Sequence, residues 1–264
     1  MRKYKRIVIK VGTKVITSKD KGLDPSRMGE IASQIAILTK EGAEVILVTS
    51  GAIGAGMSIL DMKKRPSGLG LLQATAAVGQ SHLMRVYSEL FKPFNIHVGQ
   101  VLLTQEDFRE ASRSLNIKHT INMLLEHKAI PVINENDTVA TEEIKCGDND
   151  RLSELVAELC QADLLILLTD VDGLLDGDGK LIREVLEVTP QILKLGRENS
   201  ACDLGTGGMA TKLEAARSAI KARIDCVIAD GREKGAILNI AAGADDIGTA
   251  FHSRSRHTRP GRES

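Results

Sequence analysis

The chain has 264 residues, with 35 Lys and Arg against 35 Asp and Glu, 42% hydrophobic residues and 2% aromatic ones. That apolar content is enough to bury a core, which excludes a chain left disordered for want of one, and the length allows one large domain or two small ones. Zero formal charge, no Trp, two Tyr and four Phe supply neither the positive surplus nor the stacking surface of a nucleic-acid binder, so no nucleic-acid partner is expected.

Taken in chain order, the first apolar run, Ile7 to Val11, follows a basic N terminus and contains Lys10. It is too short for a signal peptide and reads as a strand; no other stretch approaches the roughly 18 apolar residues of a membrane span, so no membrane partner is expected. Asp24 caps a helix with Pro25 in its first turn; Met28, Ile31, Ala32, Ile35 and Leu38 form one face, and Gly42 ends it. Glu44 to Thr49 is the second strand, followed by the glycine-rich Ser50 to Gly56, and Leu71 to Phe91 is a long helix stopped before Pro93. Strands at His97 to Leu103, Ile130 to Asn134, Leu164 to Thr169 and Cys226 to Ala229 alternate with helices at Leu115 to Glu126, Leu152 to Cys160 and Met209 to Ala222. Most strands are continuous Val/Ile/Leu runs, as in parallel sheets buried on both faces, and the β-α-β order predicts a three-layer α/β/α sandwich around a mostly parallel sheet.

The four cysteines, Cys146, Cys160, Cys202 and Cys226, form no CxxC pair and no zinc-ligand spacing, and read as free thiols of a reducing cytoplasm. The six histidines are scattered, and no G-x-S-x-G elbow is present. Asp176 to Lys180 lacks the residues of a calcium loop and reads as a surface hairpin turn. The end of the chain, Ser253 to Ser264, sets Arg254, Arg256, Arg259 and Arg262 against Glu263 and reads as a disordered basic tail.

In an open parallel sheet, ligands lie beyond the carboxyl ends of the strands, which directs attention to Lys10-Val11-Gly12, Ser50-Gly51, Asn134 to Asp137 and Thr169-Asp170. Gly205-Thr206-Gly207-Gly208-Met209-Ala210-Thr211-Lys212 opens a helix with glycines and has the form of a phosphate cradle, although it is not a Walker A loop. Gly51, Gly54 and Gly56 likewise do not make a dinucleotide fingerprint. Between residues 134 and 150, Asn134, Asn136, Asp137, Asp148, Asn149 and Asp150 crowd one segment. Capping a helix accounts for one of these, whereas carboxylates and amides together suit a small amino-acid-like zwitterion.

These residues carry a family resemblance. Lys10 to Thr13, Val48 to Ile53, Ala77-Val78-Gly79-Gln80, Val132 to Asp137, Gly147 to Asp150, Thr169-Asp170 and Gly205 to Lys212 together resemble the glutamate 5-kinase branch of the amino acid kinase family. The resemblance implies an amino acid kinase-like fold over 1–252, with an N-terminal substrate lobe, a nucleotide lobe over roughly 164–252 and the tail 253–264 outside it. It also implies MgATP-dependent phosphorylation of the γ-carboxylate of L-glutamate, as in the first step of proline biosynthesis. By that resemblance Lys10, Lys212 and Asp150 are catalytic, and Ser50, Gly51, Asn134, Asp137 and Asn149 bind glutamate. Lys10, Gly12, Thr169, Asp170, Thr206, Gly207, Gly208, Met209, Ala210, Thr211 and Lys212 bind the nucleotide, with Mg2+ held mainly by ATP phosphates rather than by protein ligands. Further implied are L-proline as a feedback inhibitor, a homo-oligomer (dimer or tetramer), coupling to glutamate-5-semialdehyde dehydrogenase and a cytoplasmic location. The sequence departs from the pattern in two places: no PUA domain follows the kinase region, and Leu175 stands where relatives usually have Tyr. Another carboxylate kinase, such as one acting on N-acetylglutamate, and a non-catalytic amino-acid sensor are the alternative readings. The α-ammonium partner Asp137 argues against the first, and retention of both lysines against the second.

Overall fold

The computed structural model describes residues 3–18, 22–140, 149–198 and 208–253. Among these residues eight strands make one sheet: β1 (Arg6–Val11), β2 (Glu44–Thr49), β3 (Val98–Leu103), β4 (Ile130–Glu135), β5 (Leu164–Thr169), β6 (Glu184–Val185), β7 (Asp225–Asp230) and β8 (Thr249–Phe251). Their order across the sheet is β3-β4-β2-β1-β5-β7-β8-β6, and every neighbouring pair is parallel except β7 with β8. Among the described residues the helices are α1 (Thr13–Ile16), α2 (Pro25–Lys40), α3 (Ala52–Ile59), α4 (Leu69–Phe91), α5 (Ala111–Glu126), α6 (Asn149–Leu159), α7 (Pro190–Glu198), α8 (Met209–Lys221) and α9 (Ala236–Ala242).

The apolar strand sequences place one core on each face of the sheet, completing the expected three layers. One core joins β1, β2 and β5 to Met28 and Ile31 of α2, Leu83 and Tyr87 of α4, and Ile237 and Ile240 of α9. The other packs Val8, Ile46 and Leu165 against α5, α6, α7 and α8. All six residues of β5 are buried, as its unbroken Leu/Ile sequence requires of a central strand. The predicted cap of α2 is in place: Asp24 accepts a hydrogen bond from the Arg27 amide at 3.1 Å, and Pro25 occupies the first turn. The hairpin at 176–180 also forms, with Asp176 N–H donating to the Lys180 carbonyl at 2.8 Å.

At the sheet's centre, β1 lies between β2 and β5. The chain leaves β1 for β2 on one side and winds outward through β5 and β7 on the other, so a crevice opens at the carboxyl ends of β1 and β5. Four ends there carry polar residues: Lys10 in β1, Ser50 after β2, Asn134 near the end of β4, and Thr169 and Asp170 at the end of β5. Ser253 is buried, and its amide and hydroxyl donate to Asp225 Oδ1 at 3.0 and 3.1 Å. It is therefore tied to the sheet, whereas residues 254–264 of the expected tail lie outside the described residues. No helix among the described residues is long and apolar enough to cross a membrane.

Candidate active site

Three charges from distant parts of the sequence meet in the crevice. Asp150, in the first turn of α6, is fully buried; Lys10 is 5% exposed and Lys212, in the first turn of α8, 4%. Lys10 Nζ lies 2.7 Å from Asp150 Oδ1, and Lys212 Nζ lies 3.1 Å from Asp150 Oδ2. Thr211 Oγ1 donates to the same Oδ2 at 2.8 Å. Burial alone would raise the Asp150 pKa, but the two lysines and the Thr211 hydroxyl outweigh it and hold the carboxyl below its ordinary value. One carboxylate thus holds two ammonium groups in place at the crevice, a suitable arrangement for anionic oxygens.

Beside the triad lies an amide cluster. Asn149, which begins α6, donates from Nδ2 to the Thr49 carbonyl at 2.7 Å, Ser50 Oγ at 2.9 Å and Asn134 Oδ1 at 2.9 Å. Ser50 N–H donates to the Val11 carbonyl at 3.1 Å, which ties the β2 end to the β1 end. Gly51 then adopts φ +99°, and this left-handed turn directs the chain into α3; an added Cβ there would be strained and 3.1 Å from Ile16. Asp137, two residues beyond β4, is half-buried. Burial pushes its pKa up to about 6, against the opposing charge of Arg65. Among the described residues no hydrogen bond joins Asp137 to the amide cluster.

On the other side of the triad, Gly12 follows β1, and its N–H donates to the Leu168 carbonyl of β5 at 3.1 Å. Thr169 is buried and Asp170 half-buried at the β5 end. Burial would raise the Asp170 pKa, but Lys14 Nζ, 3.1 Å from Oδ2, helps bring it below its ordinary value. Gly208 precedes α8, and the amides from Gly208 to Thr211 form its N terminus, ahead of the first intrahelical bond from Lys212 N–H to the Gly208 carbonyl at 3.4 Å. Thr206 and Gly207 of the expected nucleotide set lie outside the described residues, as do Cys146 and Cys202. Cys160 and Cys226 are buried free thiols; burial pushes Cys160 up to about 11 and raises Cys226 well above its ordinary value, so neither is a nucleophile at neutral pH.

The structure therefore brings Lys10, Asp150, Thr211 and Lys212 into contact and links Ser50, Asn134 and Asn149 by hydrogen bonds. Several participants had not been picked out as site residues. Gln80 of α4 accepts from Asn134 Nδ2 at 2.8 Å, and Tyr87 Oη lies 2.8 Å from Thr49 Oγ1. Arg232 Nη2 donates to the Asp170 carbonyl at 2.6 Å while its guanidinium pairs with Asp230. Gln80 had a signal, a glutamine following Gly79 on a helix otherwise read as apolar; Tyr87 and Arg232 had none.

The amino acid kinase family model matches residues 5–230 of this chain. Glutamate 5-kinase of Shewanella woodyi is 49% identical over 254 residues, covering 94% of this chain and 68% of that protein. Glutamate 5-kinase of Thermus thermophilus is 49% identical over 259 residues, covering 96% of this chain and 69% of that protein. Among solved structures, N-acetylglutamate synthase of Neisseria gonorrhoeae, complexed with coenzyme A and N-acetyl-glutamate, superposes with a TM-score of 0.68 at 13% identity. The match covers 95% of this chain and 60% of the synthase, and at that identity it is a likeness of fold alone.

Proposed function

The chain belongs to the amino acid kinase family, among its glutamate 5-kinases, and from that premise we propose how its residues carry out the reaction. The activity is ATP-dependent phosphorylation of the γ-carboxylate of L-glutamate to L-glutamyl 5-phosphate, the first step of proline biosynthesis. A γ-carboxylate oxygen forms the new bond to the γ-phosphorus of ATP, the bond from that phosphorus to the β,γ-bridging oxygen breaks, and ADP leaves. The attacking carboxylate is ionised at neutral pH, so no general base is needed and the protein supplies alignment and positive charge.

The observation that carries the reading is the Lys10–Asp150–Lys212 triad beside the Asn149 cluster. Lys10 and Lys212 stabilise charge on the transferring phosphoryl group, and Asp150 positions both. Ser50, Gly51, Asn134, Asp137 and Asn149 hold glutamate, with Asp137 as the carboxylate partner of its α-ammonium. Gly12, Thr169, Asp170 and the Gly208 to Lys212 turn receive the nucleotide; the amides at the start of α8 and the Lys212 ammonium fit a polyphosphate. Mg2+, held mainly by ATP phosphates, adds neutralising charge on their oxygens. Residues 1–252 act as one kinase domain, with the nucleotide lobe over roughly 164–252. The family resemblance further supports feedback by L-proline, assembly as a dimer or tetramer, coupling to glutamate-5-semialdehyde dehydrogenase and action in the cytoplasm.

An ADP-release assay with glutamate, N-acetylglutamate and aspartate side by side tests the reading. Turnover with glutamate is expected. Turnover with N-acetylglutamate instead would reassign the substrate, and none with any of them would leave the protein a sensor.

A further inference from the structure

Gln80 lies on α4, one residue from Gly79, where α4 crosses α3 at close range. A Cβ on Gly79 would stand 1.7 Å from the Ala52 carbonyl of α3, and a Cβ on Gly56 of α3 would stand 1.9 Å from the Thr75 carbonyl of α4. Only glycines permit this approach. It brings Gln80, 8% exposed, within hydrogen-bonding reach of the substrate cluster.

The orientation of each amide in the cluster is dictated by backbone groups whose roles cannot invert. The Glu135 N–H donates to Asn134 Oδ1 at 2.9 Å, so the other end of Asn134 must be its NH2. That NH2 donates to Gln80 Oε1 at 2.8 Å, which leaves Gln80 Nε2 to donate to Gln100 Oε1 at 3.3 Å. The Thr49 carbonyl can only accept, so the Asn149 NH2 faces it at 2.7 Å and also reaches Asn134 Oδ1. Three acceptors around Asn149 Nδ2 occupy its two hydrogens. Among the described residues nothing donates to Asn149 Oδ1, so the group left for a ligand is an acceptor, as an α-ammonium requires.

We propose that Gln80 is a positioning residue for the amino-acid substrate: it locks the Asn134 amide, and through it presents Asn149 as an acceptor. The proposal rests on the glutamate-kinase reading. Loss of the Gln80 carbonyl strands a buried Asn134 donor, which turns to find another partner and releases Asn149.

The test is steady-state kinetics on Gln80→Met, which keeps the side-chain length without the amide, and on Gln80→Glu, with thermal melts of both. Gln80→Met should raise KM for glutamate about tenfold, the scale of one lost buried hydrogen bond, while KM for ATP and kcat stay within about threefold of wild type. Gln80→Glu keeps the acceptor for Asn134, and the exposed Gln100 amide can turn to donate to it. Its KM for glutamate should return to within about threefold of wild type. A glutamate KM unchanged in Gln80→Met, or kcat and both KM values moving together with Tm, overturns the proposal. Should Gln80→Met fail to fold, Gln100→Met removes the far end of the relay and should raise the glutamate KM alone; no change there also overturns it. Failure of the underlying reading shows differently, as wild-type protein that releases no ADP with glutamate.

Discussion

Asp150→Asn is the sharpest test of the catalytic assignment, because the substitution keeps shape and removes only charge. Lys10 and Lys212 stand 2.7 and 3.1 Å from the carboxylate, where attraction at an effective dielectric near 20 is about 6 and about 5 kcal/mol. The cost of keeping three charges from water offsets most of this, so the gross attraction is not the stability of the triad. Removing the Asp150 charge is different, since two ammonium groups that are 5% and 4% exposed lose their contact with it, and breaking such a buried pair costs about 3–5 kcal/mol. Melting should fall by about 10 °C in a chain of this size. The lysines must then separate or lose a proton, and either change withdraws charge from the phosphoryl oxygens. Loss of one fixed donor of this kind lowers turnover at least about a hundredfold. ADP release at saturating glutamate and ATP, paired with a thermal melt, measures both effects. A variant with kcat within about threefold of wild type and an unchanged Tm would refute the reasoning: Asp150 would then not be what holds the lysines.

Lys10→Ala and Lys212→Ala should each lose kcat far more than ATP affinity; equal loss in both would make them ordinary nucleotide-binding residues. In its proposed role Asp137, with its pKa near 6, carries the charge needed to hold an ammonium only above that pH. The kcat/KM for glutamate should therefore fall as pH drops through 6; Asp137→Asn should lower it overall and remove that limb, as pH profiles of both proteins will show. Glu154 of α6, buried and paired with Arg151, has its pKa pushed up to about 7 by burial. A carboxyl that binds its proton more tightly when folded loses stability as pH rises from its unfolded value to its folded one, here from about 4.5 to about 7. Glu154→Gln should therefore flatten the fall in stability over that window, by about 1–2 kcal/mol after allowance for solvent screening. Denaturant melts at pH 5 and pH 8 that shift equally would contradict this.

Long, strongly patterned elements were legible in the sequence because a buried strand or an amphipathic helix has a local signature. The β1, β2 and β5 strands fall within a residue of expectation, and α4 and α8 within two. The α3 helix has no counterpart among the elements expected from the sequence, since Gly54 and Gly56 argue against helix formation locally. Packing against α4 overrides that propensity, and the contact depends on the very glycines that concealed it. The β6 and β8 strands span two and three residues, too few to show a period, and exist because β7 offers β8 an edge. In the site, Lys10 was legible at a strand end and Asp150 and Lys212 at helix starts, while their grouping into one triad was implied by the family resemblance. The Gln80 link and the Tyr87 contact with Thr49 were not legible, because hydrogen bonds between residues 54 and 38 positions apart are products of helix packing with no local pattern.

The first two residues of α6 show why the site is built this way. Asn149 turns toward Ser50 and Asn134, and Asp150 toward Lys10, Thr211 and Lys212. On the proposed reading, consecutive residues at one helix start face the two substrates separately, so that rigid backbone rather than two independent loops would set the separation between the glutamate carboxylate and the γ-phosphorus. Phosphoryl transfer depends steeply on that separation and on in-line approach. The α6 helix is in turn fixed by the apolar face through which Leu152 and Val156 enter the core. On that reading, substrate alignment is inherited from the packing of α6 against the sheet.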